Sequence, residues 1–434
     1  MKKNKWNVLV FPGGTEIGLE IYKSLAYCKE ITLFSVSSAQ ENHAEFVFLN
    51  HHIIPNVFES SCITELLRIL REWKIDVIYP ANAYIIDFLV KHREIIPVKI
   101  ILPSNEVVQL TRSKRACYDY LRGDILVPTI YVSTVEIISY PVFVKPNSGY
   151  GAQGAKKINS EAGLQDYLGE HSEDETLICE YLAGEEYTVD CFSSKKGLLF
   201  SRARKRERIR MGTSMRATPA STEIQKDVKE IAEKIVKKLS IEGAWFFQVK
   251  RDKPGGQLKL LEIEVRIAGT MAMNRARGVN FPLLSIYNAF GFSVEIMTND
   301  FDVILDRSLA NRYKIDLSYE NVYVDLDDTL LIKGKVNQDL MKFLYQCFNK
   351  KIKLILITKS LSNNLFETLR QYRISELFDE VIHLKEEDKK ENYINKKQAI
   401  FIDDSYSQRA QVHAALAIPT FDMSMLEVLI DDRT

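Results

Sequence analysis

Short apolar runs alternate with amphipathic segments at both ends of the chain, and this alternation limits the fold more than any other feature. Near the start, Asn7-Val8-Leu9-Val10-Phe11 reads as a buried strand, and residues 16–27 as a helix with Ile17, Leu19, Ile21 and Leu25 on its apolar side. Ile31-Thr32-Leu33-Phe34 is a second strand, residues 60–74 a second helix, and Asp76-Val77-Ile78-Tyr79-Pro80 a third strand. Strands separated by helices of this length pair in parallel, so the spacing predicts a doubly wound α/β sheet. The alternation returns at Val322-Tyr323-Val324, Leu354-Ile355-Leu356-Ile357 and Ala399-Ile400-Phe401-Ile402. Between these blocks the β segments are longer and the glycines denser. A chain of 434 residues predicts about three domains, expected here at 1–110, 111–312 and 318–434.

Charge and cysteine usage narrow the function. The 58 basic and 58 acidic side chains cancel, which argues against bulk electrostatic binding to nucleic acid or anionic lipid. The six cysteines form no Cys-x-x-Cys pair and no cluster with histidine, as expected of reduced thiols in a cytoplasmic protein. No run reaches the length of a membrane span. The basic start, Met1 to Gly14, has an apolar run that stops at Pro12-Gly13-Gly14, and no signal peptide is expected. The seven histidines suggest no triad or metal motif.

Pro12-Gly13-Gly14-Thr15-Glu16-Ile17-Gly18 joins the first strand to the first helix, where backbone N–H groups could approach a phosphate. The spacing is not Gly-x-Gly-x-x-Gly, and no acid stands at the end of the second strand. A tight strand-to-helix turn and a weak dinucleotide site both stand as readings.

The central block is richer. Pro141-Val142-Phe143-Val144-Lys145-Pro146 is a strand ending in lysine, followed by a loop carrying Gly149, Gly151 and Gly154. A lysine so placed reaches nucleotide phosphates while a glycine-rich hairpin closes over them; no Gly-Lys-Ser/Thr follows, so it is not a P-loop. In Leu260-Leu261-Glu262-Ile263-Glu264-Val265-Arg266, alternation puts Glu262, Glu264 and Arg266 on one face, neighbours about 6–7 Å apart. Hard oxygen ligands at that spacing suit Mg²⁺ bridging nucleotide phosphates.

The order lysine strand, glycine loop, Glu180-Tyr181-Leu182, Gly184-x-Glu186-Tyr187-Thr188-Val189-Asp190, Gln248 and Glu262-x-x-x-Arg266 resembles the ATP-grasp superfamily, in particular its carbamoyl-phosphate-synthetase-like branch. The similarity covers residues 1 to about 310, with the N-terminal sheet corresponding to that family's pre-ATP-grasp domain and the following block to its α+β ATP-grasp domain. It implies ATP and Mg²⁺ as cofactors, with Mn²⁺ as the alternative ion. It also implies that Lys114 and Lys145 contact phosphates under the loop of Gly149, Gly151 and Gly154, that Glu180 and the backbone near Leu182 hold adenine, and that Glu186 holds the ribose. Gln248, Glu262 and Glu264 would line the metal site, and Arg266 would stabilise an acyl phosphate. The family usually has Glu-x-Asn-Pro-Arg. Here Glu264 replaces the amide, which keeps an oxygen ligand and makes the site more acidic.

Arg202, Arg204, Arg206, Arg208 and Arg210 occupy every second position. On an uninterrupted strand all five share a face, and neighbours repel by about 2.5 kcal/mol at an effective dielectric of 20. A bound polyanion or a solvated edge strand would each accommodate the row. The first reading makes Arg206 and Arg208 contacts for an anionic carboxylate substrate.

In the last block, Asp325-Leu326-Asp327-Asp328-Thr329 follows one strand, Thr358-Lys359 ends another and Asp403-Asp404 ends a third. Parallel strand ends converge on one crevice, and clustered carboxylates there need a divalent cation. Asp-x-Asp-x-Thr with a downstream threonine, lysine and Asp-Asp resembles the haloacid dehalogenase superfamily of phosphatases, over residues 318–434. The resemblance implies a Rossmann-like domain with Asp325 as nucleophile, Asp327 as general acid/base, and Thr358 with a lysine binding the phosphoryl group. Asp325, Asp327, Asp403 and Asp404 would make the Mg²⁺ site. Lys390 is favoured over Lys385 and Lys389 because it stands four residues before apolar Ile394, although the mixed-charge run 385–397 reads as a solvated helix face. Too few residues separate the motifs for a large cap.

The resemblances imply a bifunctional enzyme: an ATP-dependent carboxylate–amine ligase and a phosphatase acting on a phosphorylated small molecule. No nucleic acid or membrane partner is expected. A kinase, or a nucleotide-sensing scaffold without turnover, are the alternatives for the first part.

Overall fold

The computed structural model describes residues 5–39, 41–149, 153–172, 175–210, 212–313, 315–360, 364–431 and 433. They fall into two compact units, 1–309 and 310–433. No helix among the described residues is long and apolar enough to cross a membrane.

The first unit opens with β1 (Trp6–Phe11), α1 (Glu16–Leu25), β2 (Ile31–Ser37), β3 (His51–Ile53), α2 (Ser61–Glu72), β4 (Val77–Pro80), α3 (Ala83–Lys91) and β5 (Lys99–Ile100). The strands pair in parallel in the order β3-β2-β1-β4-β5. Alternation along β1 divides its side chains between two cores. Leu9 and Phe11 pack with Leu66 of α2 and Leu89 of α3; Val8 and Val10 pack with Ile21 and Leu25 of α1 and with Ile286, from far later in the chain. The turn before α1 is too tight for side chains: a Cβ on Gly18 would lie 2.5 Å from the Pro12 carbonyl oxygen, and one on Gly13 2.6 Å from Ser35 Cβ. Thr15 caps the helix by accepting from the Gly18 N–H at 3.1 Å. These contacts account for the glycines as strand-to-helix packing.

The chain continues through α4 (Asn105–Arg112), which spans the expected boundary near 110, and α5 (Lys114–Leu121). Next come β6 (Ile130–Tyr131), β7 (Val142–Pro146), β8 (Lys156–Ile158), α6 (Glu161–Glu170) and β9 (Thr176–Glu180), an antiparallel sheet of order β6-β9-β7-β8. A larger antiparallel sheet follows: β10 (Glu186–Ser194), β11 (Gly197–Arg210), β12 (Thr213–Pro219), then α7 (Thr222–Leu239), β13 (Gly243–Arg251), β14 (Leu258–Glu264), α8 (Ala272–Arg275), α9 (Phe281–Ala289) and β15 (Leu305–Asp306). Its order is β14-β13-β10-β11-β12-β15.

Alternation sorts this sheet into an apolar and a polar face. Tyr187, Val189, Cys191, Trp245, Phe247 and Val249 bury against Val228, Ala232 and Ile235 of α7. Glu186, Thr188, Asp190, Phe246 and Gln248 therefore lie on the opposite face. β14 joins them through a bulge: Val249 pairs with Leu260 but Gln248 with Glu262, leaving Leu261 as the extra residue. The bulge reverses the parity, so Leu258 and Leu260 stay in the core while both Glu262 and Glu264 turn to the polar face.

The second unit contains β16 (Asn321–Val324), a hairpin of β17 (Leu331–Ile332) and β18 (Lys335–Val336), α10 (Gln338–Asn349), β19 (Lys353–Thr358), α11 (Leu365–Gln371), β20 (Glu380–His383), β21 (Ala399–Ile402), α12 (Tyr406–Leu416), β22 (Thr420–Phe421) and α13 (Leu426–Leu429). The main sheet is parallel, in the order β20-β19-β16-β21-β22. The run 385–397 differs from its expected helix. It is loop with one 3₁₀ turn, Lys390–Asn392, and its Ile394 enters the core with Leu384, a spacing that leaves no helical stripe.

Candidate functional site

The polar face of the larger sheet forms one wall of a cavity of about 380 Å³. Thr15 and Glu16 reach it from the start of α1, Asn82 and Ala83 from the start of α3, and Gln153 from the glycine loop, just before Gly154. The sheet contributes Thr188, Arg204, Arg206, Gln248, Glu262 and Glu264, with Arg266 just past β14. Arg266 Nε lies 3.0 Å from Glu264, and its guanidinium stands 5.3 Å over the Phe246 ring. Burial raises the Glu264 carboxyl above its usual range and Glu262 adds to the effect, against the pull of Arg266.

Lys114 and Gly149 face Glu262 and Glu264 across an adjoining cleft. Ser113 caps α5, so Lys114 begins the helix; its ammonium donates to the Gly149 carbonyl at 3.3 Å. Lys145, at the end of β7, is buried and donates to the Tyr118 hydroxyl at 2.7 Å. Tyr118 in turn donates to the carbonyl of bulged Leu261 at 2.6 Å. Burial holds the Lys145 ammonium below its usual pKa and the Tyr118 phenol well above. Gly154 has a left-handed φ of +70°, and a Cβ there would lie 3.0 Å from the Pro146 ring. Gly151 lies outside the described residues.

Glu180 accepts from the Thr129 N–H at 2.7 Å and pairs with Lys259 at 2.5 Å. Leu182 is buried beside it. Glu186 pairs with Arg206 and lies 3.8 Å from Lys250. Lys145, Glu180, Leu182 and Glu186 are not among the residues lining the larger cavity.

The arginine row does not form one charged stripe. The pairing of β11 with β12 shifts register between Arg206 and Arg208 and again before Ile209. Only Arg204 and Lys205 pair with both β10 and β12; Arg202 pairs with β10 alone, and Arg206, Arg208 and Arg210 with β12 alone, so the edge-strand reading fails at Arg204. Acids from other elements pair with four of the five: Arg202 meets Asp302 at 3.7 Å, buried Arg204 grips Asp190 of β10, Arg206 meets Glu186 of β10, and exposed Arg208 meets Asp306 at 2.7 Å. Arg206 also donates to Gln248 at 2.9 Å and to the Gly212 carbonyl at 2.6 Å.

In the second unit, Asp325, Asp403 and Asp404 bring carboxylate oxygens within 4.8 Å of one another, a set of hard ligands that fits a divalent cation. Lys390 is buried with its ammonium 2.6 Å from Asp325 and 2.7 Å from Asp403, whereas Lys385 and Lys389 are exposed. Burial pushes the Asp325 carboxyl up to about 6, with Lys390 opposing the shift and Asp403 adding to it. Buried Thr358 ends β19, and its hydroxyl accepts from the Ser360 N–H at 3.1 Å. Thr329 accepts from the Asp404 N–H at 2.9 Å. Asp327 is exposed and outside the carboxylate cluster.

Comparison with known proteins bears on the first unit. Residues 172–306 match the family described as ATP-grasp in the biosynthetic pathway with Ter operon. The carbamoyl phosphate synthase large chain of Caldanaerobacter subterraneus subsp. tengcongensis is 25% identical over 273 residues, covering 54% of this chain and 25% of that one. Two solved structures share the fold. The biotin carboxylase domain of Hydrogenobacter thermophilus 2-oxoglutarate carboxylase, in complex with MgADP, ADP and bicarbonate, has a TM-score of 0.57 at 16% identity, covering 68% of this chain and 71% of that one. The N5-carboxyaminoimidazole synthetase of Staphylococcus aureus, complexed with ADP, has a TM-score of 0.56 at 19% identity, covering 68% and 80%.

The chain resembles ATP-grasp proteins over residues 172–306.

It spans about a quarter of the length of the curated relatives it matches. Several residues in or behind the cavity of the first unit escape a reading of sequence. Tyr118 bears on Lys145 only through the fold, and Arg307 and Glu16, 3.1 Å apart, come from opposite ends of the unit. In the second unit Arg409 donates to the carbonyls of Asp403 and Asp404 at 2.6 and 2.7 Å and pairs with Asp422 at 3.2 Å. No local motif marks any of them.

Proposed function

We propose that the chain is a bifunctional enzyme, an ATP-dependent carboxylate–amine ligase joined to a Mg²⁺-dependent phosphatase. The convergence of Gln248, Glu262, Glu264 and Arg266 on one cavity within an ATP-grasp-like module carries the ligase reading. Lys114 and Lys145 bind the nucleotide phosphates, Glu180 and Leu182 flank the adenine, and Glu186 meets the ribose. Gln248, Glu262 and Glu264 would hold Mg²⁺, which neutralises phosphate charge when bound. The substrate carboxylate attacks the terminal phosphorus and ADP leaves. Arg266 steadies the resulting acyl phosphate. An amine then attacks the acyl carbon, forming the new C–N bond, losing its proton and expelling phosphate. Positioning and charge neutralisation supply the rate.

For the second unit, the acidic cluster around buried Lys390 supports a haloacid-dehalogenase-like phosphatase. Asp325 attacks the phosphorus of a monoester, Asp327 protonates the leaving oxygen, and water hydrolyses the aspartyl phosphate. Thr358 and Lys390 bind the phosphoryl oxygens, and Asp403 and Asp404 complete the metal site with Asp325. The deciding experiment is an ADP-release screen of carboxylates against amines, with Asp325→Asn silencing the second site. ADP formed only when acid and amine are both present supports ligation; ADP formed with the acid alone and a stable phosphorylated product supports a kinase. ATP binding without ADP under any mixture leaves a scaffold. Hydrolysis of an aryl phosphate that survives Asp325→Asn removes that residue as nucleophile.

A further inference from the structure

Arg204 sits on the polar face of β11 and is only 2% exposed. Asp190 occupies its Nε and Nη2, each at 3.0 Å, and Asn274 holds Asp190 in turn at 2.8 Å. The third guanidinium nitrogen, Nη1, is buried and has no partner among the described residues. A buried N–H left without an acceptor costs about 1–3 kcal/mol, so the site favours a ligand that brings an oxygen to it.

A second guanidinium enters the same cavity from just past β15. Arg307 is fixed by its N–H, which donates to the Met215 carbonyl at 2.8 Å, and it rests against Gly269, where a Cβ would lie 3.1 Å from Nη2. Its partner Glu16 is 45% exposed, so solvent screens that pair. The nucleotide and the activated carboxylate account for Lys114, Lys145, Arg206 and Arg266, and leave Arg204 and Arg307 unassigned. One hydroxyl or carbonyl oxygen could serve only part of this donor set, whereas a carboxylate offers about four lone-pair sites and suits guanidinium donors.

We infer that the acid substrate is a dicarboxylate, one carboxylate activated beside Arg266 and the other held by Arg204 Nη1 and Arg307. This rests on the ligase reading and adds the substrate class. Arg204 and Arg307 set specificity, with Asp190 and Asn274 positioning Arg204 from behind.

The test is calorimetric titration of the full-length protein, saturated with Mg²⁺ and a non-hydrolysable ATP analogue. Succinate, glutarate and adipate are compared with butyrate, pentanoate and hexanoate. At one chain length at least, the dicarboxylate binds about tenfold or more tightly than its monocarboxylate partner. Arg204→Lys keeps the charge facing Asp190 and removes the free N–H; Arg307→Gln acts at the cavity rim without a buried pair. Each abolishes the preference and leaves nucleotide affinity unchanged. Equal affinities at every length, an equal loss for both acids in Arg307→Gln, or no dicarboxylate binding to protein that binds nucleotide overturns the inference while leaving the ligase reading in place. Failure of the nucleotide to bind overturns both.

Discussion

The ammonium of Lys145 lies 2.7 Å from the hydroxyl of Tyr118, which donates onward to the Leu261 carbonyl at 2.6 Å. The β-bulge that turns Glu262 toward the cavity thus also supplies the acceptor that anchors this pair. Tyr118→Phe removes that acceptor and leaves Lys145, among the described residues, with a 3.4 Å contact to the Leu261 carbonyl and the aromatic ring beneath it. The loss of a buried hydrogen-bond partner should lower stability by about 1–3 kcal/mol. With its lysine no longer held at the end of β7, the variant should also bind ATP more weakly. Thermal melting and nucleotide titration check both effects; unchanged ATP affinity would exclude a positioning role for Tyr118.

Asp190 and Arg204 form a fully buried ion pair. Removing one partner of such a pair typically costs about 3–5 kcal/mol because the other charge is left uncompensated, while replacing both with apolar groups can cost far less. Asp190→Leu should therefore destabilise the protein strongly, and adding Arg204→Met should recover much of the loss. A double-mutant cycle measured by denaturant unfolding gives the coupling directly. Additive losses would show that the pair contributes no mutual stabilisation.

Much of the scaffold was legible from periodicity. Val8, Val10 and Val77, or Val322, Leu354 and Ile400, lie in short runs that only a covered parallel strand explains, and the structure makes them neighbours. Glu262 and Glu264 do share a face, as two-residue spacing requires. Yet uninterrupted alternation would also have put Leu258 and Leu260 there, and only the bulge at Leu261 separates leucines from acids. The arginine row misled for the same reason: a register shift breaks its period, and its carboxylate partners come from segments remote in sequence. Lys390 lies in a charged run that resembles exposed helix, but its ammonium is buried between two aspartates that supply the missing polar partners. Local pattern reports which residues share an element; it does not report which distant charges meet.

Lys390→Met removes the ammonium that lies between Asp325 and Asp403 and leaves two buried carboxylates facing each other. Such an imbalance costs about 3–5 kcal/mol. The proposed phosphatase activity should fall to background, and the melting temperature in metal-free buffer should drop. Because a divalent cation can replace part of the lost charge, Mg²⁺ should raise the melting temperature of the variant more than that of the parent. Equal Mg²⁺ effects on the two proteins would show that the carboxylates do not share a metal site with Lys390 as counter-charge.

Arg409 acts on the same site from behind. Its Nη1 donates to the main-chain carbonyls of Asp403 and Asp404, and Asp422 holds the other end of the guanidinium, so one side chain braces both residues of the turn that carries the carboxylates. Arg409→Met should leave all three carboxylates present but let the turn relax, weakening Mg²⁺ binding by about tenfold, the equivalent of about 1.4 kcal/mol. Arg409→Lys supplies one ammonium in place of the fork and should restore only part of that affinity. Calorimetric Mg²⁺ titration reads the effect without turnover, and in steady-state assays the Mg²⁺ concentration for half-maximal phosphatase rate should rise while the rate at saturating Mg²⁺ stays near that of the parent. A lowered rate at saturating metal with unchanged Mg²⁺ affinity would assign Arg409 to the fold of the loop rather than to the aim of its carboxylates.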